Sequence, residues 1–317
     1  MRIDRKEECM TKYIIRRLLF MIPTLLGVSF IIFGLLYLTP GDAATAKLGQ
    51  NAPKEAVEAY REELGLNDPF LVQYGNYMKG ALTGDLGKSY ASGADVADTL
   101  AEYFPATLKL TAFSLAIAVI FGILFGILSA VYKYSWIDKI SMFIGMIGLS
   151  MPIFWSGILF ILLFSVKLRW LPSSGLYSFK HLILPGFALG FQSMAVIMRQ
   201  TRSSMLEVLG KDYIRTARSK GLREWYVIVV HALKNAMIPV LTSAGLLTGA
   251  LLGGSVLTET IFSIPGIGRH MVQSIGARDY PMILGAVLLI SFSYCVLNLA
   301  IDILYGFLDP RVRSQYE

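Results

Sequence analysis

Charge is scarce in this sequence. Only 16% of its 317 residues are Asp, Glu, Lys or Arg, while 55% are hydrophobic and the mean hydropathy is +0.57. Soluble domains carry roughly a quarter charged residues, so an ordinary soluble globular chain is excluded. Cysteine is nearly absent: Cys9 stands in a polar N-terminal tail and Cys295 in an apolar run, which excludes a disulfide framework or a cysteine metal cluster. Charged residues rather than an apolar run precede Cys9, so it is no lipoprotein cysteine. The three histidines, His181, His231 and His270, lie far apart in the chain and are expected at opposite membrane surfaces, where they cannot converge on one metal or one catalytic triad. The net charge of +7 comes without the aromatic-basic interleaving of a nucleic-acid surface.

Long uncharged stretches are what the sequence does have. Runs suited to crossing the hydrocarbon core, which takes about 20 residues of helix, occur at Leu18–Leu38, Leu110–Val131, Ile140–Val166, Leu182–Met198, Ala236–Thr258 and Pro281–Ile301. They predict an all-α polytopic membrane protein with six transmembrane helices. The fourth run is the shortest, and Pro152 inside the third predicts a kink or break. The first run is too long for a signal peptide and lacks a small-residue cleavage site, so it is kept as a span, while residues 1–9 are set aside as a polar extension ending before Met10. Small residues recur at every fourth position in two spans: Ala118, Gly122, Gly126 and Ala130, and Gly245, Gly249 and Gly253. Such ladders serve close helix packing, with a sliding or cargo-lining surface as the alternative.

Six spans put both termini on one side. The N-tail, the loop after the second run, the stretch after the fourth and the C-tail together hold 18 of the 29 Lys and Arg. The opposite side holds 11, against 12 of the 22 acidic residues. Basic residues accumulate on the cytoplasmic side, so the termini are expected there, in a bacterial inner membrane. Residues 39–105 then form a large extracytoplasmic segment. Within it Pro53 opens a helix through Leu64 that stops at Gly65, with Val57, Tyr60 and Leu64 on one face, and Asp68-Pro69 predicts a second helix with an Asp N-cap and proline at the first position.

The runs hold no Asp, Glu, Lys or Arg, which disfavours an ion-coupled carrier. Gly87-Lys88-Ser89 ends like a phosphate-binding loop, but Leu82 stands where such a loop needs its first glycine, and the stretch is expected outside the cytoplasm. Energy from ATP would therefore have to come through a partner. A membrane enzyme is the remaining alternative class.

The stretch after the fourth run carries the most information. From Ser203 to Gly221 it reads as a helix, with Leu206, Leu209, Tyr213 and Ala217 at helical spacing, Glu207, Lys211, Arg215 and Arg218 on other faces, and Gly221 as the residue that ends it. A second helix follows and runs into the fifth span. A basic amphipathic helix resting on anionic lipid is the plain alternative. The segment resembles the EAA loop of ABC importer permeases. Ala217, Gly221 and Leu233 keep the general form, while Arg215, Thr216, His231 and Lys234 depart from it. The departures fit the dipeptide, oligopeptide and nickel subgroup, which the chain is similar to at Tyr213–Leu222 and His231–Ala236. The similarity extends to Thr39-Pro40-Gly41-Asp42, Gly84–Ser89, Pro105-Ala106-Thr107-Leu108, Glu259–Gly268, Ala277–Pro281 and Asp309-Pro310-Arg311.

The resemblance implies a type I ABC importer (MetI-like) permease fold. Its expected parts are an N-terminal extension (1–9), a first span with its extracytoplasmic segment (10–96), a five-helix core (97–308) with a cytoplasmic coupling loop (203–235), and a tail (309–317). It implies a second permease subunit, two cytoplasmic ATPases that bind the ATP and Mg, and an extracytoplasmic binding protein that delivers cargo. This chain would bind no cofactor or metal itself, and no nucleic acid; membrane lipid surrounds it. The coupling residues implied are Lys211, Asp212, Tyr213, Arg215, Thr216, Ala217, Arg218, Lys220, Gly221, Leu222, His231 and Asn235. The implied cargo is di- or oligopeptide, with nickel or another small solute such as glutathione or a sugar as alternatives.

Overall fold

The computed structural model describes residues 2–49 and 51–308, with side chains placed for 14–49, 51–301 and 303. Cys9, the tail bases up to Lys12, Asp302 and the Asp309-Pro310-Arg311 motif with its tail lie outside these. Thirteen α-helices occur among the described residues, and the only β pairing among them is an isolated bridge between Lys88 and Asp95.

Each expected apolar run is found inside a helix or helix pair. The spans are Ile14–Leu38 in α1 (Arg2–Leu38), Val96–Val131 (α5), Lys180–Leu209 (α8), Glu224–Ile261, and Tyr280–Ile301 in α13 (Tyr280–Leu308). The sixth is a broken pair, α6 (Trp136–Ser150) and Ile153–Lys167, the second half beginning as α7 (Ile153–Phe160). The two halves meet at 111°, so the third run is not one straight span. Pro152 is the N-cap of the second half. Its ring disfavours a helical backbone at the residue before it, and Met151 is extended with φ −84° and ψ 124°, so the bend is larger than a kink. The helices outlast the runs because amphipathic turns extend them. In α5, Val96 and Leu100 are buried while Asp98, Glu102 and Lys109 point to solvent.

The chain divides into two compact units, one of residues 1–107 and 265–296, the other of 108–264 and 297–317. In the first, the segment after α1 folds into α2 (Ala43–Leu48), α3 (Lys54–Glu63) and α4 (Phe70–Leu82). The helix α2 was not foreseen; Asp42 and Thr45 form a reciprocal capping box at its start. The helix α3 matches expectation, and Gly65 follows it with φ +65°. The helix α4 begins one residue late: Pro69, not Asp68, is the N-cap, and no side chain caps it. Along α1, Phe30 and Phe33 meet Phe70 and Tyr74 edge-on, with centroids 5.3–5.5 Å apart.

Three motifs far apart in sequence converge in this unit. Asp279 is buried and accepts hydrogen bonds from the Ser89 hydroxyl and the Tyr90 N–H, the latter at 3.0 Å. Tyr280 Oη donates to the Gly41 carbonyl at 3.1 Å, and Lys47 Nζ to the Tyr90 carbonyl at 3.0 Å. Asp42 accepts Arg61 Nε at 2.6 Å. Burial would raise the Asp42 pKa, but the Thr45 N–H and Arg61 outweigh it and hold the carboxyl below its ordinary value. The Gly87-Lys88-Ser89 stretch follows a helix and turns back antiparallel, with Ser89 N–H bonded to the Ala94 carbonyl at 2.8 Å. A phosphate loop needs a strand before it and a helix directly after, and neither is here.

In the second unit α8 is central, its apolar window 61% buried against 39% for α5. That burial by protein explains how the least apolar run still belongs to the bundle. The first small-residue ladder packs on it. A Cβ at Gly122 would stand 2.8 Å from Ile197 Cβ, and one at Gly126 would stand 2.5 Å from Thr201 Cβ and 2.8 Å from the Met198 carbonyl. This is close helix packing, so the ladder in α5 is not open for cargo. In the other ladder Gly245 is closed by Ile301, while a side chain at Gly253 would meet nothing.

Candidate functional site

The stretch from 203 to 235 is not one helix followed by another. α8 ends at Leu209, the chain breaks at Gly210-Lys211, and α9 (Asp212–Ser219) starts anew. The break resets the helical phase. Met205 and Val208 of α8 are buried and Leu206 and Leu209 only partly so; in α9 the buried pair is Ile214 and Ala217, while Tyr213 is 42% exposed. Of the expected stripe, Ala217 is buried and Leu206 and Leu209 pack partly buried against the same core, while Tyr213 gives way to Ile214, because a period of 3.6 cannot be carried across a non-helical junction.

Two contacts hold α9 down. Ile214 and Ala217 sit in a core formed with Ala130, Met205, Val208, Val227, Ala232 and Ala236. Asn235 Nδ2 donates to Tyr213 Oη at 2.9 Å and to the His231 carbonyl at 3.1 Å. The helix end is fixed by Gly221, whose φ is +74° and whose N–H donates to the Arg218 carbonyl at 2.9 Å. A side chain at Gly221 would meet no atom within 4 Å, so the demand for glycine is conformational. After the turn, α10 (Glu224–Tyr226) leads through a wide π-helical stretch, Val227–Leu233, into α11 (Lys234–Ile261).

Arg218 grips Glu224 across the turn, with Nη2 2.6 Å and Nε 3.1 Å from its oxygens, and this carboxylate raises the guanidinium pKa. Sequence reasoning missed Glu224, because a pair bridging a turn has no helical spacing. Lys211 pairs with Glu207 at 2.9 Å, the i, i+4 spacing that the sequence does show.

The outward face of α9 remains open. The Asp212 and Arg215 side chains are 98% and 77% exposed and 3.9 Å apart, and Thr216, Ser219 and Lys220 are exposed beside them. Beyond the turn Leu222 and Trp225 also face outward. Of the twelve expected residues, Ala217 points inward, Tyr213, Asn235 and His231 brace the base, Arg218 and Gly221 shape the turn, and Lys211, Asp212, Arg215, Thr216, Lys220 and Leu222 form the open face. The result is a short braced helix standing on the bundle, with exposed polar groups on its outward face. The His231 ring lies against Tyr226, with centroids 5.5 Å apart. Among the described residues, no group of three or more His, Cys, Asp or Glu is placed to hold a metal.

Two family models match the chain. The binding-protein-dependent transport system inner membrane component covers residues 122–314, and the N-terminal part of such membrane components covers 10–111. The chain belongs to this permease family. Its curated relatives include the dipeptide transport system permease protein DppB of Alkalihalophilus pseudofirmus, 46% identical over 96% of this chain and all of that one. The glutathione transport system permease protein GsiC of Escherichia coli K12 is 45% identical over 96% of this chain and 99% of that one. Among solved structures, the MetNI methionine ABC transporter in inward-facing conformations matches with a TM-score of 0.57 and 19% identity, covering 66% of this chain and 96% of that chain. That likeness establishes the type I importer permease fold. The permease is a multi-pass inner-membrane transport subunit and not an enzyme.

Proposed function

We propose that this permease forms half of the path through which an ATP-driven importer moves peptides delivered by an extracytoplasmic binding protein. A second, similar permease completes the path, and two ATPases bind on the cytoplasmic side. The observation that carries the reading is the open face of α9: a braced, polar helix projecting beyond the spans, where an ATPase groove could seat it. The excess of Lys and Arg supports a cytoplasmic position for that face and for both termini. ATP and Mg are held by the ATPases, whose closure moves α9 and with it the spans.

Peptide cargo is favoured by the dipeptide and glutathione relatives, whose cargoes are both amide-linked amino acids. Nickel is the second reading, and the uncharged runs give it little support, because a metal path calls for imidazole or carboxylate ligands. Deleting the gene is expected to abolish growth on a required amino acid supplied only as dipeptide, with nickel-enzyme activity intact. Loss of the nickel activity with normal growth on dipeptide would reverse the assignment.

A further inference from the structure

The seam between α5 and α8 is smooth along most of its length and then pinned at one end. Gly122 lies on Ile197 and Gly126 on Thr201, with no polar contact between these pairs. Such a surface brings the two helices close and holds them by apolar packing alone, with no directional contact added. One turn further on the chemistry changes. Asp138, in the first turn of α6, is 4% exposed. Its two oxygens accept Arg202 Nε and Nη2 from α8, both at 2.9 Å. The Ser129 hydroxyl of α5 donates to Oδ1 at 2.5 Å, and the Tyr134 N–H to Oδ2 at 3.0 Å. Tyr134 holds φ +66°, an unfavourable value for a residue with a side chain, in the turn that joins α5 to α6.

One carboxylate thus gathers two helices and the turn into a single register, with Arg202 supplying the planar fork that makes the contact directional. The position of this lock gives it consequence. Ala130, the neighbour of Ser129, and Met205, one turn from Arg202, are both part of the core that seats Ile214 and Ala217 of α9. The lock and the seat of α9 are therefore neighbours on both sides of the seam.

We infer that Asp138 and Arg202 form a register pin that makes the α5–α6 turn, the end of α8 and α9 move as one body, so that force applied to α9 reaches the spans instead of sliding α8 past α5. The inference rests on the coupling role proposed for α9. Asp138 and Arg202 are positioning residues and touch neither cargo nor nucleotide.

The test uses the assembled importer, with the permease pair, the ATPases and the binding protein. Breaking only one partner would leave a buried charge uncompensated and could unfold the chain, so the principal variant replaces both, Asp138→Leu with Arg202→Met; apolar replacement of a whole buried pair is commonly tolerated. Spin labels at Lys133 and Ser219, in a chain cleared of Cys9 and Cys295, report the distance from the turn to α9. Labelled dialanine reports uptake per ATP hydrolysed. With the pin intact, one narrow distance distribution is expected, unchanged when ATP is trapped. In the double variant it should broaden and shift on ATP trapping, and uptake per ATP should fall about tenfold, within the range that coupling residues show. Arg202→Lys, which keeps the charge but loses the fork, should fall between the two. A double variant that recovers as an intact complex with wild-type distances and wild-type uptake per ATP would overturn the pin. If the double variant fails to assemble, Arg202→Lys decides alone, and wild-type behaviour there overturns it equally. A wild-type complex that holds no ATPase would instead overturn the coupling role of α9, while the distance comparison would still judge the pin.

Discussion

Gly221→Val is expected to leave the permease expressed and inserted while uptake is lost. The residue stands just past the Lys220 C-cap of α9, at φ +74°. A side chain there meets open space, so the substitution brings no clash with neighbours and its whole effect is on the backbone. Holding an L-residue in the left-handed region costs about 1–2 kcal/mol, and a β-branched one is the least suited to it. That is too little to unfold the bundle. It is enough to favour a different turn, which would withdraw the Gly221 N–H from the Arg218 carbonyl and re-aim the open face of α9. Gly221→Asn should be much milder, because asparagine tolerates this region. The check is to purify each complex and measure ATPase retention, ATP turnover and uptake together. Wild-type uptake from Gly221→Val would mean that the turn does not set the helix direction.

Asp279→Ala is expected to loosen the outer segment of the first unit. Asp279 is 2% exposed and is the acceptor for both Ser89 Oγ and Tyr90 N–H. Removing it leaves the buried Ser89 hydroxyl and the half-buried Tyr90 N–H without their acceptor, a cost on the order of 3 kcal/mol. Asp279→Asn keeps an acceptor oxygen for one of them and should lose less. The loss should appear as a lowered unfolding temperature and as faster protease cutting between α4 and α5. Both variants unfolding and resisting protease like the wild type would show that Lys47, Arg61 and Tyr280 hold the cluster without Asp279.

The spans were legible in the sequence because the bilayer requires long uncharged helices, and composition alone marks them. Pro152 announced its bend for a local reason, and Gly221 announced the end of α9 likewise. The phase of α9 was not legible: the junction at Gly210-Lys211 carries no proline, and the side-chain pattern continues across it as if unbroken. The role of the small-residue ladder in α5 also needed the structure, because the same spacing serves a packed seam and an open path. The pairing of Asp138 with Arg202 is 64 positions apart in the chain, and nothing in either local pattern links them. The outer motifs could be quoted from sequence, yet that Ser89 and Asp279, 190 positions apart, meet at one carboxylate is a fact of tertiary structure. Arg218 could be placed on the coupling segment from sequence, while its partner Glu224 could not, because the turn at Gly221 brings them together.

The central claim is that the open face of α9 meets an ATPase in the cytoplasm. A photo-reactive amino acid at Arg215, the exposed centre of that face, tests it most directly, with a second placed at Ser92 in the outer segment for comparison. After irradiation of cells producing the whole importer, the account predicts a crosslink from position 215 to an ATPase subunit and none from position 92. A crosslink to the ATPase from 92 with none from 215 would contradict both the orientation and the role assigned to α9.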